Sequence, residues 1–454
     1  MFPPGRGGGT KYLTTDTDTK PTRGKSKKVL DREKESLLSD MRKAFALGRD
    51  KDQDNRLAAL NDLRALNSET IWDFSIPAVA ERRDDGRPCP TINLLPKFQD
   101  QVEGDQRMNR PASKVHPRDS GADIAGAELR DGLLRGIKAF SFADVAYDTA
   151  FQHSSQCGFG YFRIVTEYAA DDIFEQDIRF KPIYNNFAVV WDASAQEWDM
   201  SDAMDLWILT KMSLDIFKRK YPKANATNFP DTQESFTDWV DDNSVTVAEW
   251  FRKEPVKKRL YLIPAETDPL TGQEIVNSRV VFEDDLSDED RDKTTDSRMV
   301  ETYEIWRYLT NGIDFLEDKQ LWPASIWPII PVWGKEIRIN GKISRRGVIR
   351  NAITPVQIYN YVRATQVELI ALSPKTPIMA TAEQIQGHEA QWNSLGKKSY
   401  PYVLVNPDPQ APGWPQRVQP AMQSTALSEA LQVSSEEMKS TTGLYDASIG
   451  ARSN

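Results

Sequence analysis

Few side chains in this sequence have the type and spacing for chemistry, and each set also has a structural use. His153 and Cys157 lie four apart on a predicted helix, so they can share one face and offer two ligands to zinc. Two ligands do not close a site, and His116 and His388, the other histidines, are distant in sequence. A buried histidine beside a packed cysteine is the reading these two residues support. The acidic run Glu283 to Asp290 holds Asp284, Asp285, Asp288, Glu289 and Asp290 and suggests a cation site or a nuclease centre. Its members are contiguous and flanked by polar residues, which favours a solvated loop or helix face. The glycines of CGFGYF at 157–162 lead into a strand, without the lysine and helix N-terminus that a phosphate cradle requires. They are read as glycines that let a helix pack closely where the strand begins. The basic residues Arg338, Lys342, Arg345, Arg346 and Arg350 suit either a DNA patch or a protein-docking edge.

Composition bears on that choice. The chain has 454 residues, with 58 Lys plus Arg against 67 Asp plus Glu, a net charge of −9. A protein that coats DNA needs excess cations to displace counterions, so contact with DNA must be local or weak, and the docking edge is favoured. With 39% hydrophobic residues and 12 Trp the chain is folded, and its length allows roughly two to three domains. Cys89 and Cys157 are too few for a disulfide framework, which fits a reducing cytoplasm. The first residues lack the apolar core of a signal peptide, and the most apolar stretch, 324–333, is broken by Pro328 and Pro331, so no membrane span is expected.

The elements that position these residues read as helices first and strands afterwards, an α+β order without regular βαβ alternation. Residues 1–30 are too poor in large apolar groups to fold and are read as a disordered basic arm. Helices are predicted over 31–47, with Gly48 as C-cap, over 55–66, and around Leu94, Leu95, Phe98 and Val102. Two more cover 124–140 and 142–156. Strands are predicted at 157–168, 177–185, 188–192, 206–212 and 244–251, with a short helix after Ser213. Residues 263–298 form a polar excursion. The segment 301–319 alternates on both sides of Asn311-Gly312, which predicts a β-hairpin closed by that pair. Residues 326–350 are extended and increasingly basic. Thr354-Pro355-Val356-Gln357 supplies an N-cap, a first-turn proline and a capping-box glutamine for a helix over 355–372, roughly 27 Å long at 1.5 Å per residue. A strand-like YPYVLVNP at 400–407, a Pro-rich loop, and a last helix over 424–441 stopping at Gly443 complete the chain.

Several segments in this order resemble the portal proteins of short-tailed bacteriophages. They are Trp72 with RPCPTINLLPKFQDQVEGDQRMNRP at 87–111, FQHSSQCGFGYFRIVTEY at 151–168, Trp191-Asp192 with Ser201-Asp202-Ala203, and VTVAEWF at 245–251. IWPIIPVWG at 326–334, GVIRNAITPVQIYNYVRATQVELIALSPKTPIMATAEQI at 347–385 and TTGLYDASIGARSN at 441–454 continue the series. The likeness runs from about residue 31 to the end.

The resemblance implies a portal fold with an α/β wing, a helical stem and a small β-rich clip, the crown being absent from this chain. The wing would span 31–268 and 374–442, the stem 269–297 and 352–373, the clip 298–351, and the start of a tunnel loop 443–454. It implies a dodecameric ring at one capsid vertex, assembled in the host bacterial cytoplasm, through which double-stranded DNA enters and leaves. Its partners would be the terminase large subunit, tail adaptor proteins, and the major capsid and scaffolding proteins. No cofactor, metal or catalytic residue is implied. The clip would dock partners through Arg338, Lys342, Arg345, Arg346 and Arg350. Tyr359, Arg363 and Gln366 would line the channel on a stem helix, paired with a second stem helix in 269–297. Tyr445, Arg452 and Asn454 would sit in the tunnel loop. The alternatives are another phage head-tail ring or adaptor, and a metal-dependent nuclease built on Asp288 and Asp290.

Overall fold

The computed structural model describes residues 27–117, 123–170, 172–226, 239–241, 243–264, 266–267, 274–276, 279–283, 286–372, 378–394, 400–410, 413–417 and 425–444. Residues 1–26 of the basic arm and the tunnel-loop residues Tyr445, Arg452 and Asn454 lie outside these, whereas 27–30, expected to belong to the disordered arm, are the first turn of a helix. Helices α1 (Lys27–Lys51), α2 (Gln53–Leu66), α3 (Pro77–Asp84), α4 (Leu95–Met108), α5 (Ile124–Phe140) and α6 (Ala143–Cys157) come first. Strands β1 (Phe159–Tyr168), β2 (Gln176–Pro182), β3 (Val189–Trp191) and β4 (Asp205–Ser213) precede α7 (Leu214–Lys220). Then follow β5 (Val240–Asp241), β6 (Ser244–Ile263), β7 (Glu266–Thr267), β8 (Glu274–Val276), β9 (Arg279–Phe282), α8 (Asp288–Arg291) and β10 (Asp296–Thr310). Next are β11 (Gln320–Leu321), β12 (Ile329–Trp333), β13 (Lys335–Ile339), β14 (Lys342–Arg346) and α9 (Ile353–Leu372). Last come β15 (Ile378–Met379), α10 (Ala382–Ile385), α11 (Glu389–Ser394), β16 (Gln416–Arg417) and α12 (Thr425–Thr442). The architecture is α+β, as the order of helices and strands predicts.

The chain divides into two compact units, the first made of residues 1–59 and 103–347, the second of 60–102 and 348–454. In the first, β1 is the middle of a three-stranded antiparallel sheet in the order β12-β1-β2. A larger sheet runs β11-β10-β6-β4-β3, with β5 and β9 also on β6. Helix α1 lies on this sheet through Leu38, Met41 and Phe45, spaced at helical intervals, and Phe45 sits edge-on to Trp207 at 5.7 Å and to Trp239 at 5.5 Å. Gly48 does not end α1. It is a contact point, because an added Cβ would lie 2.4 Å from the Trp191 carbonyl oxygen. The glycines of CGFGYF act as their spacing suggests: a Cβ on Gly160 would come within 2.0 Å of the Ala150 carbonyl oxygen, so α6 meets β1 at backbone distance.

Asn311-Gly312 closes a different turn from the one expected. Thr310 bridges Phe315 across four residues, and the Asn311 carboxamide oxygen accepts from the Ile313 and Asp314 amides at 3.1 and 2.8 Å. The returning strand is the two-residue β11, while the main partner of β10 is β6, in register from Asp296 against Leu262 to Thr310 against Ala248. The tight two-residue turn belongs to Asn340-Gly341, whose φ values of 49° and 77° join β13 to β14 with Ile339 opposite Lys342. A second correction concerns 269–297. The described residues there form β8, β9, the one-turn α8 and the first residues of β10, with no long helix among them. The Val280-Val281-Phe282 run finds β6 as a ladder partner, and its β-branched and aromatic side chains suit a strand.

The second unit gathers Ala65, Ile71, Trp72, Leu95, Phe98, Ile349, Ala352, Val356, Ala364 and Met438 into one core around α9 and α12. A 3-10 turn at Arg350–Ala352 runs straight into α9, so Thr354 is inside the helix instead of capping it. Gln357 Nε2 donates to the Thr70 carbonyl at 2.9 Å and is not the capping-box residue. YPYVLVNP forms no strand, because its carbonyls are taken by α11: Gln391 Nε2 donates to Tyr402 and Trp392 Nε1 to Leu404, both at 3.0 Å. α12 stops at Gly443, φ 73°, as expected.

Candidate docking and channel surfaces

The basic segment 338–350 splits by environment. Lys342 is exposed at the β13–β14 turn, and Arg346 is half-buried. Arg338 reaches Glu336 at 3.0 Å and donates to the Gln196 carbonyl at 2.7 Å. Arg345 is 7% exposed, pairs with Glu336 at 3.3 Å, and stacks over Trp333 at 3.6 Å. Its backbone is held as well: Asn55 accepts from the Arg345 amide at 3.0 Å and donates to the Ile343 carbonyl at 2.9 Å. In the second unit, Arg350 clasps the buried Asp62 through Nε at 2.9 Å and Nη2 at 2.7 Å. Burial raises the Asp62 pKa, against the opposing pull of Arg350. Arg345 and Arg350 are therefore internal ion-pair partners, which corrects their assignment to a docking edge. A guanidinium that is itself mostly covered and already paired, Arg350 with the buried Asp62 and Arg345 with the half-buried Glu336, has little to offer an incoming protein.

The stem-helix residues are likewise sorted by α9. Tyr359 packs against the second unit's core, and Arg363 donates to Gln366 at 2.5 Å with both half-buried. The exposed stripe of α9 is Thr354, Ile358 and Tyr361, three and four residues apart. Opposite it, the fully buried Asn360 clamps the 87–95 segment, accepting from the Ile92 amide at 2.6 Å and donating to the Ile92 carbonyl at 2.8 Å. Glu368 collects Arg82 at 2.8 Å and Arg87 at 2.8 Å, and the hydrogen bond from Arg87 holds its carboxyl below the ordinary range. These four residues were not singled out in the sequence. The signal was the density of Arg and Asn between 82 and 93, which reads as loop polarity until the partner helix is placed.

The first unit buries a charge cluster where its two sheets meet. Glu249 on β6 accepts from Arg163 of β1 at 3.1 Å and from Arg307 of β10 at 3.2 Å. Desolvation alone would raise the Glu249 pKa, but the two guanidinium groups together outweigh it and hold the carboxyl at about 2. Among the described residues no three or more His, Cys, Asp and Glu come together as a metal site. His153 and Cys157 are packed in α6, with Cys157 Sγ donating to the His153 carbonyl at 3.1 Å and accepting from Asn186 Nδ2 at 3.0 Å. Burial lowers the His153 pKa. In the acidic run, Asp290 is bonded to the Ser287 hydroxyl at 2.8 Å, a local cap, and Asp284 and Asp285 lie outside the described residues. No helix among the described residues is long and apolar enough to cross a membrane.

The chain is 28% identical over 398 residues to the portal protein of Acyrthosiphon pisum secondary endosymbiont phage 1, an alignment covering 83% of this chain and 54% of the relative. The chain thus spans about half the length of the curated relative it matches. The family model for phage P22-like portal proteins matches residues 42–454, nearly the whole sequence, and the chain belongs to that family.

Proposed function

We propose that this chain is the repeating subunit of a ring-shaped conduit at one vertex of a phage capsid, through which double-stranded DNA is packaged and later ejected. The observation that carries this reading is the family match over residues 42–454. The charge balance supports it. A conduit for a translocating polyanion must not grip it, since every tight phosphate contact becomes a barrier to sliding, and a net charge of −9 suits such a wall. In this reading the protein has a structural role and no catalytic centre. It works inside the virion at the head-tail junction and is assembled in the host cytoplasm.

The finer assignments belong to the same proposal. Helix α9 would be a stem element, and its exposed Thr354, Ile358 and Tyr361 are better placed to face a channel than the half-buried Tyr359, Arg363 and Gln366. The β13–β14 hairpin, with exposed Lys342 at its turn, would present the clip edge to the terminase large subunit and then to tail adaptors. The ring would hold twelve copies, seated among capsid and scaffolding proteins. Negative-stain imaging of the purified chain tests the reading: rings with a central opening are expected. Compact single particles at every concentration would overturn it.

A further inference from the structure

The first unit leaves two unlike surfaces uncovered, and the small sheet places them on opposite sides. Helix α5 presents Leu129, Leu133 and Phe140 at intervals of four and seven residues, 76%, 64% and 73% exposed. Gly132 and Gly136 lie along the same stripe, and a Cβ added at either would meet nothing within 4 Å, so a partner backbone can come close. The rim is cationic: Lys114, Arg130 and Arg135 are exposed and Lys138 stands one turn on, while Glu128 and the N-cap Asp123 are the exposed acids and Asp131 is buried against Arg135. This helix lies by the β2 edge, where Arg179 Nη1 donates to the Phe140 carbonyl at 2.8 Å.

The other surface belongs to the loop 192–202. Trp198 is 72% exposed at its tip, with Glu197, Asp199 and Asp202 exposed around it and no lysine or arginine within the loop. Lys51, Lys253 and Arg338 approach from outside and donate to the backbone carbonyls of Ala193, Ser201 and Gln196, and Lys253 also offsets part of the charge of Asp199 and Asp202, which leaves the loop's own acids in excess at its tip. The Asp199 carboxyl is kept below the usual range by hydrogen bonds from Ser201, so it is charged at neutral pH. The loop is fixed to the β12 edge, where Trp333 Nε1 donates to the Trp198 carbonyl at 2.6 Å. Since the order is β12-β1-β2, the tryptophan loop and the α5 stripe sit at opposite edges of one sheet.

We infer that the α5 stripe of one copy receives the Trp198 loop of the next, making the head-to-tail contact that repeats around the ring. An apolar face with a basic rim on one edge, and an exposed tryptophan with an acidic rim on the other, are complementary in shape class and charge. A two-fold dimer would require one patch to fit itself, whereas two different patches on opposite edges build a heterologous chain that can close. This inference rests on the ring reading and adds the surfaces that carry it.

The test uses two variants, Leu133→Asp against the first surface and Trp198→Asp against the second. Both residues are exposed, so each variant should keep the wild-type circular dichroism and melting curve. Each alone should stay monomeric under conditions where the wild type forms rings. Mixed in equal amounts they should give one-to-one pairs and nothing larger, because one intact stripe meets one intact loop. Rings from either folded variant alone would overturn the assignment and leave the ring reading standing, and a wild type that never assembles would remove both. Should a variant unfold, Leu133→Cys and Trp198→Cys proteins in a Cys89→Ser background are mixed with a short bis-maleimide. A cross-linked pair is expected, and its absence from assembled rings would overturn the contact.

Discussion

The first unit holds charge on its inside and apolar groups on its outside, and the two regions have opposite consequences. At the junction of the sheets, Glu249 is enclosed with Arg163 and Arg307. On α5, Leu129, Leu133 and Phe140 face away from the core. The largely buried cluster fixes how β1 of the small sheet meets β6 and β10 of the large one, because its hydrogen bonds are directional and its members are mostly withdrawn from water. The exposed stripe contributes nothing to the fold of the single chain. Polarity inside serves register, and apolarity outside serves association.

That contrast can be broken by substitution. Glu249→Ala removes the carboxylate that Arg163 and Arg307 share, with Glu317 at 3.5 Å from Arg307 as a longer and more exposed substitute, and should cost about 3 kcal/mol in denaturant unfolding. Acid should reproduce part of the loss in the wild type. Because folding depresses the Glu249 pKa from 4.5 to about 2, the stabilisation is fully present above pH 4.5 and disappears as pH falls toward 2. Stability measured across that window should fall less steeply in the Glu249→Ala protein than in the wild type. Next in size is Gly160→Ala, which drives a methyl into the Ala150 carbonyl and should cost about 1–3 kcal/mol as α6 is pushed off β1. Gly136→Ala acts the other way. With open space around it, the better helix former should stabilise the isolated chain by about 1 kcal/mol. Leu133→Ser should be smallest, within about 0.5 kcal/mol in thermal or denaturant unfolding, although it lies on the proposed contact. A large loss there would mean that the stripe already has a partner within the chain.

The sequence made the helices and most of the strands legible, since the periodicities of 124–140, 142–156 and 244–251 survive in α5, α6 and β6. Long-range pairing was less accessible. Asn311-Gly312 and Asn340-Gly341 carry the same local signal, but Asn311 is engaged with Asp314 and β10 already has β6 as its neighbour, so only the second pair forms the two-residue turn. The basic run looked uniform because charge is visible in a sequence and burial is not. Asp62 and Glu336, the partners that take Arg350 and Arg345 out of play, lie 288 and nine residues away from them. Asn360 and Glu368 were hidden for the same reason: a polar residue on an apolar helix is read as solvent-facing until the loop it clamps is in place.

The most direct test is the mass distribution of the purified chain as its concentration is raised. Association between two unlike edges predicts growth one subunit at a time, ending in a single closed species many times the 51.5 kDa of the chain. Growth that ends at a dimer would contradict it, since one surface would then have found its own copy and left no free edge.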